Sequence, residues 1–141
     1  MREKIAVIGL GYVGLPLSLA FNKKYDVVGY DINHKRIKEL NKHNDVTKEV
    51  SKKDLKEAKK IIYTSNTSHL NKCSIFIVTV PTPINKKNDP DLSKLISASK
   101  LIGKNLKKNS IVIYESTTYP GCTEEICVPI LSKYSNLIYN K

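Results

Sequence analysis

Gly9, Gly11 and Gly14 follow the apolar run Ile5-Ala6-Val7-Ile8 in the spacing G-x-G-x-x-G, and Asp31 closes a second apolar run about 20 residues further on. Residues of these types in this order can hold a dinucleotide. Gly9 permits a tight strand-to-helix turn, Gly11 lets bare backbone approach a pyrophosphate, and Gly14 lets the following helix pack close to the strand. The pyrophosphate then rests on unpaired N–H groups at the positive end of a helix dipole. A carboxylate at Asp31 would accept hydrogen bonds from ribose hydroxyls and repel a 2′-phosphate, which points to NAD over NADP. Arg36 is the opposing signal, because an arginine nearby can accommodate that phosphate.

Two further segments carry polar groups after apolar runs. Val80-Pro81-Thr82-Pro83 and Glu115-Ser116-Thr117-Thr118-Tyr119-Pro120-Gly121 couple hydroxyls to prolines, giving rigid backbone with side chains aimed at a cleft. Serines and threonines that merely cap strands and turns produce the same pattern. The cysteines, Cys73, Cys122 and Cys127, are too few for a disulfide scaffold, and their odd number fits a reducing compartment. Cys122 and Cys127 form no C-x-x-C pair and have no histidine at zinc-ligand spacing, so no metal is expected. Cys122 follows Pro120-Gly121 at an expected helix start, where a thiolate would be favoured, but packing of a small side chain is the preferred reading. His34, His43 and His69 have no acid-base partner at fixed spacing and are expected at the surface.

The elements that must position these residues alternate strand and helix. Residues 4–8 read as a buried parallel strand and 12–24 as a helix, with Pro16 tolerable only in its first turn. A strand over 25–30, a helix over 34–43, a lysine-rich connection over 44–60 with a short helix at 51–58, and a strand over 61–64 complete one βαβαβ half. Strand 74–80, loop 81–90, helix 91–107, strand 110–114 and helix 121–133 follow. The expected fold is α/β, a Rossmann-type doubly wound parallel sheet of about five strands with helices on both faces, ending before the sixth strand of that fold. Ligands of such sheets bind at the carboxyl ends of the strands, at the switch point between the first and fourth.

At 141 residues the chain is one domain. Lysine plus arginine number 24 against 13 aspartates plus glutamates, a net charge of +11, but nearly all of it is lysine spread over connections and helix faces. A solvated surface accounts for that better than a nucleic-acid interface. Met1-Arg2-Glu3-Lys4 leads into only a short apolar run, so neither a signal peptide nor a membrane span is expected, and the cytoplasm is the expected compartment.

Four motifs taken together resemble the N-terminal domain of the UDP-glucose/GDP-mannose dehydrogenase family. They are Gly9-Leu10-Gly11-Tyr12-Val13-Gly14-Leu15-Pro16, Asp31 with Arg36, Val80-Pro81-Thr82-Pro83-Ile84, and Ser116-Thr117-Thr118-Tyr119-Pro120-Gly121, and they cover essentially the whole chain. Asn88-Asp89-Pro90-Asp91-Leu92 and the run from Tyr114 to Gly121 are more similar to the branch acting on UDP-N-acetylhexosamines. The resemblance implies oxidation of a sugar C6 alcohol to a carboxylate in two hydride transfers to two NAD molecules, through an aldehyde, a cysteine-linked thiohemiacetal and a thioester. It also implies roles: Gly11, Tyr12 and Val13 on the pyrophosphate, Asp31 on the adenosine ribose, and Arg36 on the adenosine side. Pro81, Thr82 and Ser116 would line the cofactor cleft toward the nicotinamide, and Thr117 would help position the hydrolytic water.

The family's Ser-Pro-Glu segment, its lysine and asparagine, its cysteine nucleophile and its partner aspartate have no counterpart among these residues. The same holds for the central helix and the UDP-binding domain, which carry dimerisation and sugar-nucleotide recognition. The chain is therefore expected to be part of a longer homodimeric or higher-order enzyme, able to bind NAD and unable to oxidise a UDP-sugar alone. Two alternatives share the glycine loop: a regulatory NAD-sensing domain, and the N-terminal half of another hydroxyacid-type dehydrogenase. The first has no need of the Ser-Thr-Pro-Gly segment after the fifth strand, and the second would not carry both later motifs.

Overall fold

The computed structural model describes residues 3–84 and 89–140. Strands β1 (Lys4–Ile8), β2 (Asp26–Tyr30), β3 (Ile61–Thr64), β4 (Ile75–Val78) and β5 (Ile111–Tyr114) form one parallel sheet in the order β3-β2-β1-β4-β5. Helices α1 (Gly14–Asn22), α2 (His34–Asn41), α3 (Lys52–Glu57), α4 (Ser93–Gly103) and α5 (Val128–Ser135) flank it.

Because successive strand residues point to opposite faces, each inner strand supplies two cores. Ile5, Val7, Val27 and Ile77 pack with Leu15 of α1, Ile37 and Leu40 of α2, and Leu55 of α3. Ala6, Ile8, Val28, Phe76 and Val78 pack on the other face with Leu95, Ala98 and Ile102 of α4 and Leu131 of α5. Sequential strands β1, β2 and β3 run one way across the sheet and β4 and β5 the other, so the carboxyl ends of β1 and β4 splay around a crevice.

The expected doubly wound sheet is present, and its elements differ from the sequence reading mostly at their ends. The helix expected over 91–107 spans only Ser93–Gly103; the Asp91 carboxylate accepts the Ser93 N–H at 2.9 Å in a local turn ahead of it. In place of one helix over 121–133 there is a π-helical turn, Thr123–Cys127, running into α5, which stops at a left-handed Asn136 with φ 58°. A 3-10 helix at Thr67–Lys72 lies where no element was expected. Pro16 falls in the first turn of α1, as a helical proline must. Residues 85–88 of the expected 81–90 loop, including Asn88 of the Asn-Asp-Pro-Asp-Leu run, lie outside the described residues.

All three cysteines are buried free thiols. Cys122 packs in the core with no exposed surface, and burial pushes the Cys73 thiol up to about 11 and raises that of Cys127. The burial of Cys122 agrees with packing of a small side chain, the reading preferred from the sequence. Only His34 of the three histidines is fully at the surface; His43 sits in a left-handed turn with φ 56° and its Nδ1 enclosed, and His69 is half-buried. No helix among the described residues is long and apolar enough to cross a membrane.

Candidate functional site

The glycine loop joins β1 to α1 at the switch point, and three neighbours hold it. Gly9 has φ +98°, and its N–H donates to the Tyr30 carbonyl at 2.8 Å. Thr79, directly after β4, donates its hydroxyl to the Gly9 carbonyl at 2.7 Å and its N–H to the Ile8 carbonyl at 2.9 Å. Asp31, directly after β2, accepts the Leu10 N–H at 2.8 Å on Oδ2 and the Asn33 N–H at 2.9 Å on Oδ1. The loop is thereby tied to the ends of both strands beside β1.

Each glycine meets a different requirement. A Cβ on Gly14 would run into the Gly9 carbonyl and approach the Thr79 hydroxyl to 2.5 Å, so close packing of α1 on the loop demands glycine there. A Cβ on Gly11 would meet no protein atom within 4 Å. Protein packing leaves that space open on the ligand side of the loop. The N–H groups of Gly11, Tyr12 and Val13 have no acceptor among the described residues. Helices α2 and α3 are capped by the side chains of Asn33 and Ser51, whereas α1 begins after Val13 with no side-chain cap. Three free donors at the positive end of a helix can hold an anion. Tyr12 and Val13 project into solvent beside it, 68% and 56% exposed, as does Ile32 beyond Asp31 at 81%.

The loops after β4 and β5 close the other side of the crevice. Thr82 donates its hydroxyl to the Thr117 carbonyl, and Ser116 donates its hydroxyl to the Val80 carbonyl at 2.7 Å. These cross-links join the two hydroxyl- and proline-bearing segments that the sequence singled out. The Thr117 side chain is exposed and makes no hydrogen bond among the described residues, and Pro81 is exposed alongside. Two surface depressions lie away from this crevice: a groove of about 620 Å³ along β5 and the C-terminal residues, and one of about 540 Å³ between α1 and α3.

Arg36 is placed differently from the adenosine contact that the resemblance implies. Its side chain is 8% exposed and lies beneath the loop, with Nε donating to the Leu10 carbonyl at 2.8 Å and an Nη donating to Asp45 at 2.8 Å. Burial pushes the Asp45 carboxyl up, but hydrogen bonds from the Thr47 and Arg36 side chains and from the Val50 and Thr47 amides outweigh it and hold the group down to about 2. A carboxyl lower in the folded than in the unfolded chain stabilises the fold above its unfolded value and loses that contribution as pH falls through the folded one. Acid titration followed by circular dichroism should therefore show about 2 kcal/mol of stability disappearing between roughly pH 4 and 2, and Asp45→Asn should lack that component.

Sequence reasoning missed Thr79 and Asp45. Thr79 offers a signal in retrospect, a hydroxyl one residue past a buried strand, whereas Asp45 sits in a polar run with nothing to mark it.

The family model for the UDP-glucose/GDP-mannose dehydrogenase family, NAD binding domain, matches residues 3–140. The chain belongs to this family. It is 58% identical to a UDP-N-acetyl-D-glucosamine 6-dehydrogenase of Pseudomonas aeruginosa over 138 residues, covering 98% of this chain and 33% of that protein. Among solved structures it superposes on the UDP-D-ManNAc dehydrogenase of Pyrococcus horikoshii with TM-score 0.90 at 36% identity, covering 97% of this chain and 34% of the other. An NDP-N-acetyl-D-galactosaminuronic acid dehydrogenase of Methanosarcina mazei Go1 superposes with TM-score 0.89 at 30% identity, over 99% and 32%. The chain spans about a third of the length of these relatives. The family domain binds NAD, and the open Gly11 face with its three amides unpaired among the described residues could hold part of such a cofactor.

Proposed function

We propose that the chain is the NAD-binding third of a dehydrogenase that oxidises the C6 alcohol of a UDP-N-acetylhexosamine to the uronate in two NAD-dependent steps. The observation that carries this reading is the crevice itself, where free amides of the glycine loop face the Asp31 carboxylate on one side and the linked Thr82 and Ser116 loops on the other. The relatives named for UDP-N-acetylated sugars supply the substrate class.

In this reading Gly11, Tyr12 and Val13 hold the pyrophosphate and Asp31 takes the ribose hydroxyls with its remaining lone pairs. Pro81, Thr82 and Ser116 flank the nicotinamide end. Bound NAD supplies the hydride acceptor. The Thr117 hydroxyl, free of hydrogen-bond partners among the described residues, orients the water that releases the acid. None of the chain's own thiols can act as the nucleophile, since all three are buried. Sugar recognition and subunit contacts, as a homodimer or larger, belong to other parts of the enzyme.

The test has two arms. The 141-residue chain should bind NAD in a calorimeter yet form no NADH with UDP-N-acetylglucosamine or UDP-N-acetylmannosamine, and turnover by this chain would contradict the assignment of roles. In an enzyme that contains this domain, Thr117→Ala should slow acid formation by roughly ten- to a thousand-fold while NAD affinity stays within about twofold. Rapid-quench analysis beside a melting curve checks this, and a destabilised variant slowed in every step alike would make Thr117 a structural residue.

A further inference from the structure

The segment 44–50 forms neither helix nor strand, yet it folds around one carboxylate. Asp45 Oδ1 accepts from the Thr47 hydroxyl at 2.7 Å, the Thr47 N–H at 3.0 Å and the Arg36 guanidinium at 2.8 Å. Oδ2 accepts from the N–H groups of Glu49 at 2.8 Å and Val50 at 3.1 Å. Its side chain is 1% exposed. Five donors on one buried carboxylate fix both the segment and the arginine that it grips.

Arg36 reaches in turn to the loop. Its Nε holds the Leu10 carbonyl, while the N–H of the same residue, Leu10, is held by Asp31. The middle of the glycine loop is thus clamped from its two polar backbone groups, by an acid on the ligand side and by a base from beneath. The pairing with Asp45 also sets the charge. A free guanidinium this close to Asp31 would offset the carboxylate and attract a dianionic 2′-phosphate, whereas the paired ions leave Asp31 to set the local field.

We propose that Asp45 is a positioning residue for the cofactor: acting through Arg36, it fixes the Leu10 backbone and withholds the guanidinium from a 2′-phosphate, so that the site takes NAD and rejects NADP. The proposal rests on the crevice being the NAD site.

Calorimetry of the 141-residue chain with NAD and with NADP, beside melting curves, tests it in three variants. Asp45→Asn should weaken NAD about tenfold and shrink the NAD-over-NADP preference by at least about tenfold, as loss of a charge-assisted hydrogen bond and release of a cation would do. Thr47→Val, which removes one donor to Asp45 but keeps its charge, should shift the preference the same way by about threefold. Ile102→Ala, in the α4 core on the opposite face of the sheet from the clasp, should lower the melting temperature and leave the preference within about twofold. Should Asp45→Asn fail to fold, the Thr47→Val shift decides the matter. A preference that stays within about twofold of wild type in the Asp45 and Thr47 variants, or that moves equally in Ile102→Ala, overturns the clasp's role while leaving the NAD site standing. A wild-type chain that binds neither nucleotide overturns both.

Discussion

Asp31→Ala is expected to weaken NAD binding by about 1.5–3 kcal/mol, the scale of hydrogen bonds to a charged group, measured by calorimetry on the 141-residue chain. The carboxylate has two tasks in the fold. In the proposed reading it takes the ribose hydroxyls, and in the fold it accepts the Leu10 and Asn33 N–H groups. Alanine leaves both amides without that partner, so the loop loosens as the ribose contact is lost. Asp31→Asn separates the two tasks: it keeps an acceptor but removes the charge that repels a 2′-phosphate. Its NAD affinity should fall less than that of the alanine variant, and its discrimination against NADP should shrink. Unchanged NAD affinity in Asp31→Ala would remove this residue from the site.

Alanine at Gly11 and at Gly14 should fail in opposite ways. The Gly14 methyl has no room against the Gly9 carbonyl and the Thr79 hydroxyl, so Gly14→Ala should destabilise the fold by about 3 kcal/mol, at the upper end of overpacking costs. At Gly11 the methyl meets no protein atom within 4 Å and the backbone carries no positive φ, so stability should change by no more than about 0.5 kcal/mol. In the proposed reading the same methyl stands where the pyrophosphate lies. Gly11→Ala should therefore lose at least about tenfold in NAD affinity with its melting curve intact, the cost of displacing an anion from its cradle of amides. Urea titrations and calorimetry on the pair would show the contrast, and a stable Gly14→Ala or a tightly binding Gly11→Ala would contradict it.

The parts of this molecule that were legible in its sequence are those governed by period and by backbone need. Uninterrupted apolar runs such as Ile75–Val78 mark strands covered on both faces, and a helix directly after a glycine loop leaves few topologies open. The segment Val80-Pro81-Thr82-Pro83 was legible as a loop at a strand end because proline cannot continue a central strand. What escaped depends on contacts between distant positions. Asp45 acts only because α2 brings Arg36 beneath the loop, and no local pattern announces such a pair. The π turn at Thr123–Cys127 escaped for a related reason, since Cys122 and Ile126, and Cys127 and Leu131, recur at the four-residue spacing of an ordinary helix. Arg36 itself was visible as a charge near the ribose acid, but whether it faced the ligand or the protein was decided by its partner.

In the proposed reading NAD lies across the carboxyl ends of β1 and β4, on the free amides of the glycine loop. Titrating the isotopically labelled 141-residue chain with NAD while following each backbone amide by NMR tests it most directly. The account predicts the largest shifts at Gly11, Tyr12 and Val13, with further shifts at Asp31, Thr82 and Ser116. Shifts confined to the groove along β5 or to the depression between α1 and α3, with the glycine-loop amides unmoved at saturation, would contradict it.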